Sequence, residues 1–495
     1  MSDLEALSPA KRALLERALR QRRASIPAPA VIPKRGASGP APLSFAQQRM
    51  WFLQQWEPDA PTFNGARAIR LRGQLHRGAL ERSLRSVIER HESLRTVVAG
   101  DREPRQVVLD AWPFELPLLA LRVPEADREH QLSLLLRELS REPFDLASDV
   151  MLRATLIELG ADDHVLLLRI HHIAADAHSD RVLFAELSEL YAADTSGRAP
   201  NLPELPIQYS DFAVWQRERL SGQLLEQLCS QWARTLQDAP ALLCLPTDRP
   251  RLPVQRHAGS HHELALDRQV ADQLSALGRQ TGATFFITML AAFATLLYRL
   301  TGESDIVVGS PISARHNVEL QGLIGFFTNT IALRTRLDGS PTFREVLGRT
   351  REAALSAYAY QDLPFDKVVE TLAPKRDPSY NPLFVVNFRA QEASRPALAL
   401  AGLQSQAIAV DIGFSRFDLA LELELRPDQL AGYFEYDRDL FELGTIVGFE
   451  EDLRAVLNQV ASDPDLPILA IGLPRGRNAA QRRAPAGAIA RRLAK

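Results

Sequence analysis

Residues 162–193 read DDHVLLLRI-HHIAADAHSD-RVLFAELSELYAA, and this stretch decides the fold class. The first segment, 162–170, is built on the short continuous apolar run 165–168, the pattern of a buried strand. The last, 181–193, places apolar residues at helical spacing. Between them stand two adjacent histidines, His171 and His172, with Asp176 four residues beyond the second. Histidine is the side chain whose ordinary pKa lies near neutrality. A strand that ends at His171–His172 and breaks into a loop presents an imidazole at a sheet edge or interface. There it can act as a base at the range of one hydrogen bond, while Asp176 orients the loop through an arginine. Paired histidines before a helix are also common as purely structural groups, so HHxxxD alone leaves both readings open.

Working outward, the same alternation recurs from about Pro42 to about Pro474. "GALERSLRSVIERHESL" (78–94) carries leucine and valine at helical intervals, and "PRQVVLD" has strand character. "VADQLSALGRQTG" and "TFFITMLAAFATLLYRLTG" read as helices ending at glycine, a frequent residue just past a helix. "DIVVGSP" follows as a buried strand expected to break at Gly309 and Pro311. Helices interleaved with strands over more than 400 residues indicate an α/β body. A strand-rich then helix-rich order appears twice, which allows two related lobes, 42–219 and 220–474.

The flanks differ from this body. Residues 8–22, "SPAKRALLERALRQR", predict one short amphipathic helix with Ser8 as N-cap and Pro9 as first helical residue. "ASIPAPAVIPKRGASGPAP" (24–42) lacks the periodicity of a packed element, so 1–41 is expected to be a helix plus linker. The stretch 475–495 holds seven basic residues and no acid, a solvated tail or a docking peptide.

Composition narrows the function classes. Hydrophobic residues make up 46% of the 495 and charged residues 24%, an ordinary globular balance with room for two or three domains. A net charge of -3 gives no reason to expect nucleic acid or an anionic membrane as partner. Cys229 and Cys244 form no CxxC pair, which argues against a disulfide scaffold or a zinc site and fits a reducing compartment. The N-terminus has no apolar signal core, and no apolar run reaches the ~20 residues of a membrane span. A cytoplasmic protein is expected.

Six further segments occur in order around the histidine motif: "PLSFAQQRMWFLQQ" (42–55), "RHESLRT" (90–96), "YSDFAVWQRE" (209–218), "IGFFTNTIALR" (324–334), "YQDLPFDKVVE" (360–370) and "RDPSYNPLF" (376–384). With "HHIAADA" they closely resemble the seven core motifs of the condensation domains of nonribosomal peptide synthetases. "LPTDRPR" (245–251) and "DIVVGSPISAR" (305–315) fit the same family. The resemblance implies two chloramphenicol acetyltransferase-like lobes in a V with a central tunnel. It implies donor and acceptor carrier-protein (thiolation) domains as partners, each bringing a phosphopantetheine arm. An acyl or peptidyl thioester would be attacked by an amine, or less often a hydroxyl, with no metal or other cofactor bound by the chain itself.

Mapped onto these residues, the resemblance makes His172 the central catalytic group, as base or as positioner of the nucleophile. His171 and Asp176 become structural, with Arg315 of "SPISAR" as the aspartate's partner. Arg90 and Arg95 fall on the arginines of the RHExLR motif, where a tunnel role and a helix-end ion-pair network are both open. Asn329 is expected near the tunnel or in a strand side-chain hydrogen bond, and Tyr209 and Trp215 in the core. Three positions depart from the pattern. Ala177 stands where glycine usually follows the aspartate, His178 where an aromatic is common, and Ala314 where glycine usually precedes the arginine. If the glycine supplies room, Ala177 narrows the acceptor side. Epimerisation domains share HHxxxDG but lack the "RDPSYNPLF" type of segment, and heterocyclisation domains replace the histidines by aspartates. A coenzyme A-dependent acyltransferase and a non-catalytic recruitment domain are the alternatives. "RHESLRT" and "AYAYQDLPF" look more like the type taking an L-configured or simple acyl donor. A free-standing enzyme, or the first domain of an excised module, is the expected context.

Overall fold

The computed structural model describes residues 31–36, 39–58, 61–375, 377–392 and 398–474. The helix expected over 8–22 and the basic tail 475–495 lie outside the described residues.

The first half of the chain contains β1 (Ala41–Pro42), α1 (Phe45–Trp56), β2 (Asn64–Arg72), α2 (Arg77–Arg90), β3 (Thr96–Ala99) and β4 (Arg105–Val108). It continues with β5 (Leu118–Ala120), α3 (Arg128–Arg141), β6 (Leu152–Gly160), β7 (Asp163–His171), α4 (Ala177–Ser196) and α5 (Tyr209–Arg219). The apolar run 165–170 is the middle of β7, hydrogen-bonded to β2 on one side and β6 on the other. Both faces are covered, which is why its apolar residues do not alternate with polar ones. Val165 and Leu167 pack with Leu132 and Leu136 of α3. Leu166, Leu168 and Ile170 pack with Leu84 of α2 and Leu183 and Leu187 of α4.

The second half contains α6 (Gly222–Leu236), β8 (Gly259–Asp267), α7 (Arg268–Thr281), α8 (Phe285–Thr301), β9 (Asp305–Ser313), β10 (Thr328–Arg336) and α9 (Phe343–Ala359). It ends with α10 (Phe365–Leu372), β11 (Val386–Glu392), β12 (Gln404–Ile408), β13 (Leu419–Leu425), β14 (Gln429–Asp437) and α11 (Leu443–Ser462). Its six-stranded sheet runs β10-β9-β11-β13-β14-β8. Helix α8 is apolar all round because it is the central helix of this core, buried along nearly its whole length. No single helix among the described residues is long and apolar enough to cross a membrane; α7 and α8 qualify only as a pair, bent by 107°.

Three expectations need correction. Strand β9 does not break at Gly309 and Pro311 but runs on to Ser313. It is laddered to β10 throughout and meets β11 only at Gly309, so one side is free to tolerate a proline. Gly309 is required by packing, since a Cβ there would collide with the Phe384 ring. The proline-rich linker is not free of packed residues. Ile32 is buried with Ile207 and Phe212, and the Arg35 amide donates to Asp211 at 3.0 Å. A division at residue 219 is also crossed by the chain: β12 pairs with β2, so the first sheet runs β12-β2-β7-β6-β5. The loop after β9 crosses too, where the Ile324 amide donates to His91 Nδ1 at 3.2 Å.

Candidate active site

Strand β7 ends at His171, and the backbone then turns so that the two imidazoles part company. The His171 ring is buried, edge-on to Phe63 and Phe144. Its Nδ1 accepts the Ile173 amide hydrogen at 3.1 Å, which places the ring proton on Nε2, where it finds no polar partner among the described residues. Burial, then the neighbouring His172 and Arg416, push His171 down to about 3. The ring is a neutral structural wedge.

His172 instead lines a cavity of about 1330 Å³ whose walls come from both halves of the chain. Its amide is tied to the Phe63 carbonyl at 2.8 Å. Its Nδ1 lies 3.2 Å from the Ala175 carbonyl, a contact that only an Nδ1–H can make. That tautomer leaves the Nε2 lone pair unprotonated. Burial, then the positive charges of Arg416 and Arg67, push His172 down to about 3. At neutral pH it is an uncharged acceptor at the cavity wall.

Asp176, the N-cap of α4, borders the same cavity, but its carboxylate is spent on structure. Its Oδ1 accepts from the Ser179 amide at 2.9 Å, the Ser179 hydroxyl at 2.8 Å and Arg315 Nη2 at 3.0 Å. Its Oδ2 accepts the Phe327 amide hydrogen at 3.0 Å. Burial opposes ionisation, yet Arg315 and these donors hold the carboxyl below its ordinary range. Arg315 is itself buried, stacked over Phe327 at 4.1 Å and bonded to the Leu320 and Leu323 carbonyls. The pair thus fastens the N-terminus of α4 to the loop 314–327 of the second half.

The remaining expected residues divide by position. Ala177, exposed at the start of α4, lines the cavity, as does His178, whose Nε2–H donates to the Gln321 carbonyl at 3.0 Å. Neither Ala177 nor Ala314 has positive φ, so neither site demands glycine for its backbone. Asn329 borders the cavity, but its side chain is spent on structure. It donates to the Gln361 and Leu363 carbonyls at 2.9 and 2.8 Å and accepts from the Thr330 and Phe365 amides. Arg90 and Arg95 are corrected: neither is among the cavity-lining residues. Arg90 pairs with Glu186 at 3.1 Å and bonds the Pro203 carbonyl, and Arg95 holds the Leu109 carbonyl at 2.6 Å. Arg90 is the last residue of α2 and Arg95 the last of the short 3-10 turn Glu92–Arg95 that follows, where an arginine meets carboxylate and backbone carbonyls sooner than a ligand. Tyr209 is buried, its hydroxyl donating to the Phe326 carbonyl at 2.7 Å, and Trp215 packs beside it. Among the described residues no group of histidine, cysteine, aspartate or glutamate side chains is arranged to hold a metal ion.

The condensation-domain family model matches residues 37–481. The chain belongs to that family. This condensation domain is 39% identical over 480 residues to phosphinothricin tripeptide synthetase PhsC of Streptomyces viridochromogenes, covering 95% of the chain and 44% of that protein. It is 39% identical over 444 residues to malpibaldin synthetase of Mortierella alpina, covering 90% and 8%. The condensation domain therefore spans less than half the length of these curated relatives. Among solved structures it resembles the X-domain from teicoplanin biosynthesis, with a TM-score of 0.82 at 30% identity over 90% of this chain and 100% of that one. It also resembles the SgcC5 protein of Streptomyces globisporus, with a TM-score of 0.71 at 30% identity over 86% and 100%. These matches establish the chloramphenicol acetyltransferase-like α/β fold.

The condensation domain's cavity also carries charged groups that no motif announced. Arg416, just before β13, donates to the Thr62 carbonyl at 2.8 Å and stacks over Phe63 at 4.9 Å, the residue whose carbonyl holds His172. Burial, partly offset by Glu435, pushes it down to about 10, so it is still a cation at neutral pH. Arg67 of β2 reaches Asp180 of α4 at 2.8 Å. His261 of β8 lies 3.5 Å from Asp411 and 3.3 Å from Glu435. The only sequence signal for them is a basic residue just before a strand, for Arg416, or inside one, for His261.

Proposed function

We propose that this condensation domain transfers an acyl or peptidyl group from a carrier-protein thioester to an acceptor amine, forming an amide. The observation that carries the reading is His172: a neutral imidazole, Nδ1–H tied to Ala175, Nε2 lone pair open to a large cavity with walls from both halves of the chain. The acceptor nitrogen attacks the thioester carbonyl, the C–N bond forms, and the carbonyl electrons move to oxygen. Nε2 takes the proton from the nitrogen as it turns positive. The oxyanion then collapses, the C–S bond breaks, and the departing sulfur recovers that proton as a thiol. Arg416 contributes a fixed positive charge at the same cavity, which favours the oxyanion. A histidine pushed down to about 3 is a weak base. A weak base suffices for the acidic ammonium of the intermediate, which is the proton transfer proposed here. No phosphopantetheine is needed on this chain; the arms belong to the carrier domains. Asp176 and Arg315 hold the loop in register, and His171 wedges it.

The test is product formation. Carrier protein loaded with a donor is incubated with a free or carrier-bound amine, and the products are followed by mass spectrometry for the chain and for His172→Ala. Amide formation that depends on His172 supports the reading, and equal rates for both proteins sink it. A second reading, recruitment without catalysis, is favoured by Ala177 and by the likeness to an X-domain solved in complex with OxyB. It predicts no product from either protein.

A further inference from the structure

Strand β11 turns Phe388 and Ala390 into the core of the second half, so the alternation of a strand turns Arg389 and Gln391 towards the cavity. Arg389 is in register with Glu422 of β13, which is in turn opposite Tyr433 of β14. Arg67 of β2 and Asp180 and Arg181 of α4 line the same cavity from the first half. Asp180 and Arg389 lie close enough to act on each other's charge. In this patch the carboxylates are committed and the guanidinium groups are not. Asp180 Oδ2 accepts from Arg67 Nε at 2.8 Å, and Glu422 Oε2 accepts the Tyr433 hydroxyl hydrogen at 2.8 Å. Arg389 reaches Glu422 only at 3.3 and 3.4 Å and Gln391 at 3.3 Å. None of its N–H groups therefore has an acceptor at the usual hydrogen-bond length, and 35% of its side chain stays open. Arg181, exposed on α4, makes no ion pair among the described residues. Glu392, at the exposed end of β11, alternates with Arg389 to the opposite face.

We propose that this patch selects a substrate that carries a carboxylate, held by Arg389 and Arg181 while the reacting group sits at His172, a substrate class that rests on the proposed acyl transfer. The forked guanidinium matches a carboxylate in geometry and charge, and such bonds are among the strongest hydrogen bonds available. The other classes of substituent fit worse. A hydrocarbon chain laid here would take water from Arg389 and Asp180 without replacing its hydrogen bonds. An ammonium would be repelled by Arg67, Arg181 and Arg389 and would find Asp180 and Glu422 already bonded. Arg67 is near enough to His172 to push its ring down, so one substituted acyl or aminoacyl group spans ring and patch. The same chemistry accommodates two sources of the carboxylate, an acidic acyl donor or an acidic amine acceptor.

Binding is measured first, by calorimetry on the full chain with matched pairs that differ only by carboxylate against carboxamide. For the donor the pair is S-glutaryl pantetheine and its terminal carboxamide; for the acceptor it is isoglutamine and glutamine amide. In at least one pair the carboxylate is expected to bind at least tenfold more tightly, and the pair with the larger preference names the source. Arg389→Gln is expected to erase that preference. Equal affinities within both pairs, no binding of either carboxylate at millimolar concentration, or a preference kept by Arg389→Gln overturns the proposal. Arg181→Gln, at an exposed position, serves if that variant does not fold, with a partial loss of preference expected and an unchanged preference overturning the proposal. Turnover is measured next, with the same donors loaded on carrier protein and the same acceptors. In Arg389→Gln the ratio of kcat/KM for carboxylate over carboxamide should fall at least tenfold while the carboxamide rate is kept, and an unchanged ratio counts against the patch. Absence of turnover with every pairing would remove the acyl-transfer reading, while the binding comparison still decides whether the patch selects a carboxylate.

Discussion

Two histidines border the same cavity and carry opposite charge states at neutral pH. His172 is pushed down to about 3 by burial and by Arg416 and Arg67. At His261 burial acts in the same direction, but hydrogen bonds to Asp411 and Glu435 outweigh it and push the ring up to about 9. Residue type therefore says little about the charge state; the sign of the nearest partners decides it. The consequence is a division of labour. The neutral ring keeps a lone pair for a substrate. The charged ring ties residue 411, in the segment that leads from β12 in the first sheet to β13 in the second, to strands β8 and β14.

The sharpest way to break this comparison is to remove each ring. His172→Ala should lower turnover by ~10²–10⁴-fold, the usual contribution of a general acid–base group, with fold and carrier binding kept. His261→Asn should cost less than tenfold in turnover on the same loaded carrier. Equal losses would mean that the two rings share one role.

Next in size is Asp176→Ala. It would strand Arg315 in a buried place and remove the acceptor of the Phe327 and Ser179 amides. Breaking a buried pair typically costs about 3–5 kcal/mol, to be read from denaturant unfolding. Lost activity at unchanged stability would move Asp176 from the framework into the chemistry.

The pH dependence of stability separates the two histidine environments directly. His171 and His172 titrate near 6.5 when unfolded and near 3 when folded. The unfolded chain thus binds more protons between those values, and stability falls as pH drops from 6.5 towards 3. His261 has the opposite sign: its contribution is complete below 6.5 and is lost as pH rises through 9. His261→Phe should flatten the alkaline decline of Tm and leave the acid decline in place. A variant whose acid limb changes instead would show that the assignments are reversed.

What the sequence discloses follows from how local each feature is. The β7 run is legible because both faces are buried, and the Asp176–Arg315 contact because each member belongs to its own motif. Strand β12, "QSQAI", is short and exposed, with no alternation to mark it, and its pairing with β2 is a tertiary fact. Ile32 is buried as a single side chain, which needs no periodicity. Arg416 acts through its place beside Phe63, and nothing in "GFSRFDL" separates it from the surface arginines. Arg90 and Arg95 stay ambiguous in sequence for the converse reason: a motif residue that ends a helical turn is as regular in sequence as one that touches a ligand.

The smallest effect is expected at Ala177, the cavity-facing residue one turn of chain beyond His172. Its φ lies in the ordinary helical range, so glycine there brings no backbone relief; it removes one methyl from the wall and adds freedom to the unfolded chain. Ala177→Gly should therefore cost roughly 0.5–1 kcal/mol of stability. It should also raise the turnover ratio of a bulky to a small amine acceptor on the same loaded carrier, with the small acceptor nearly unaffected. An unchanged ratio would mean that the methyl does not bound the acceptor space. Turnover that appears only in Ala177→Gly would mean that the methyl closes the site, and that the His172 ring, though correctly poised, is idle in this chain.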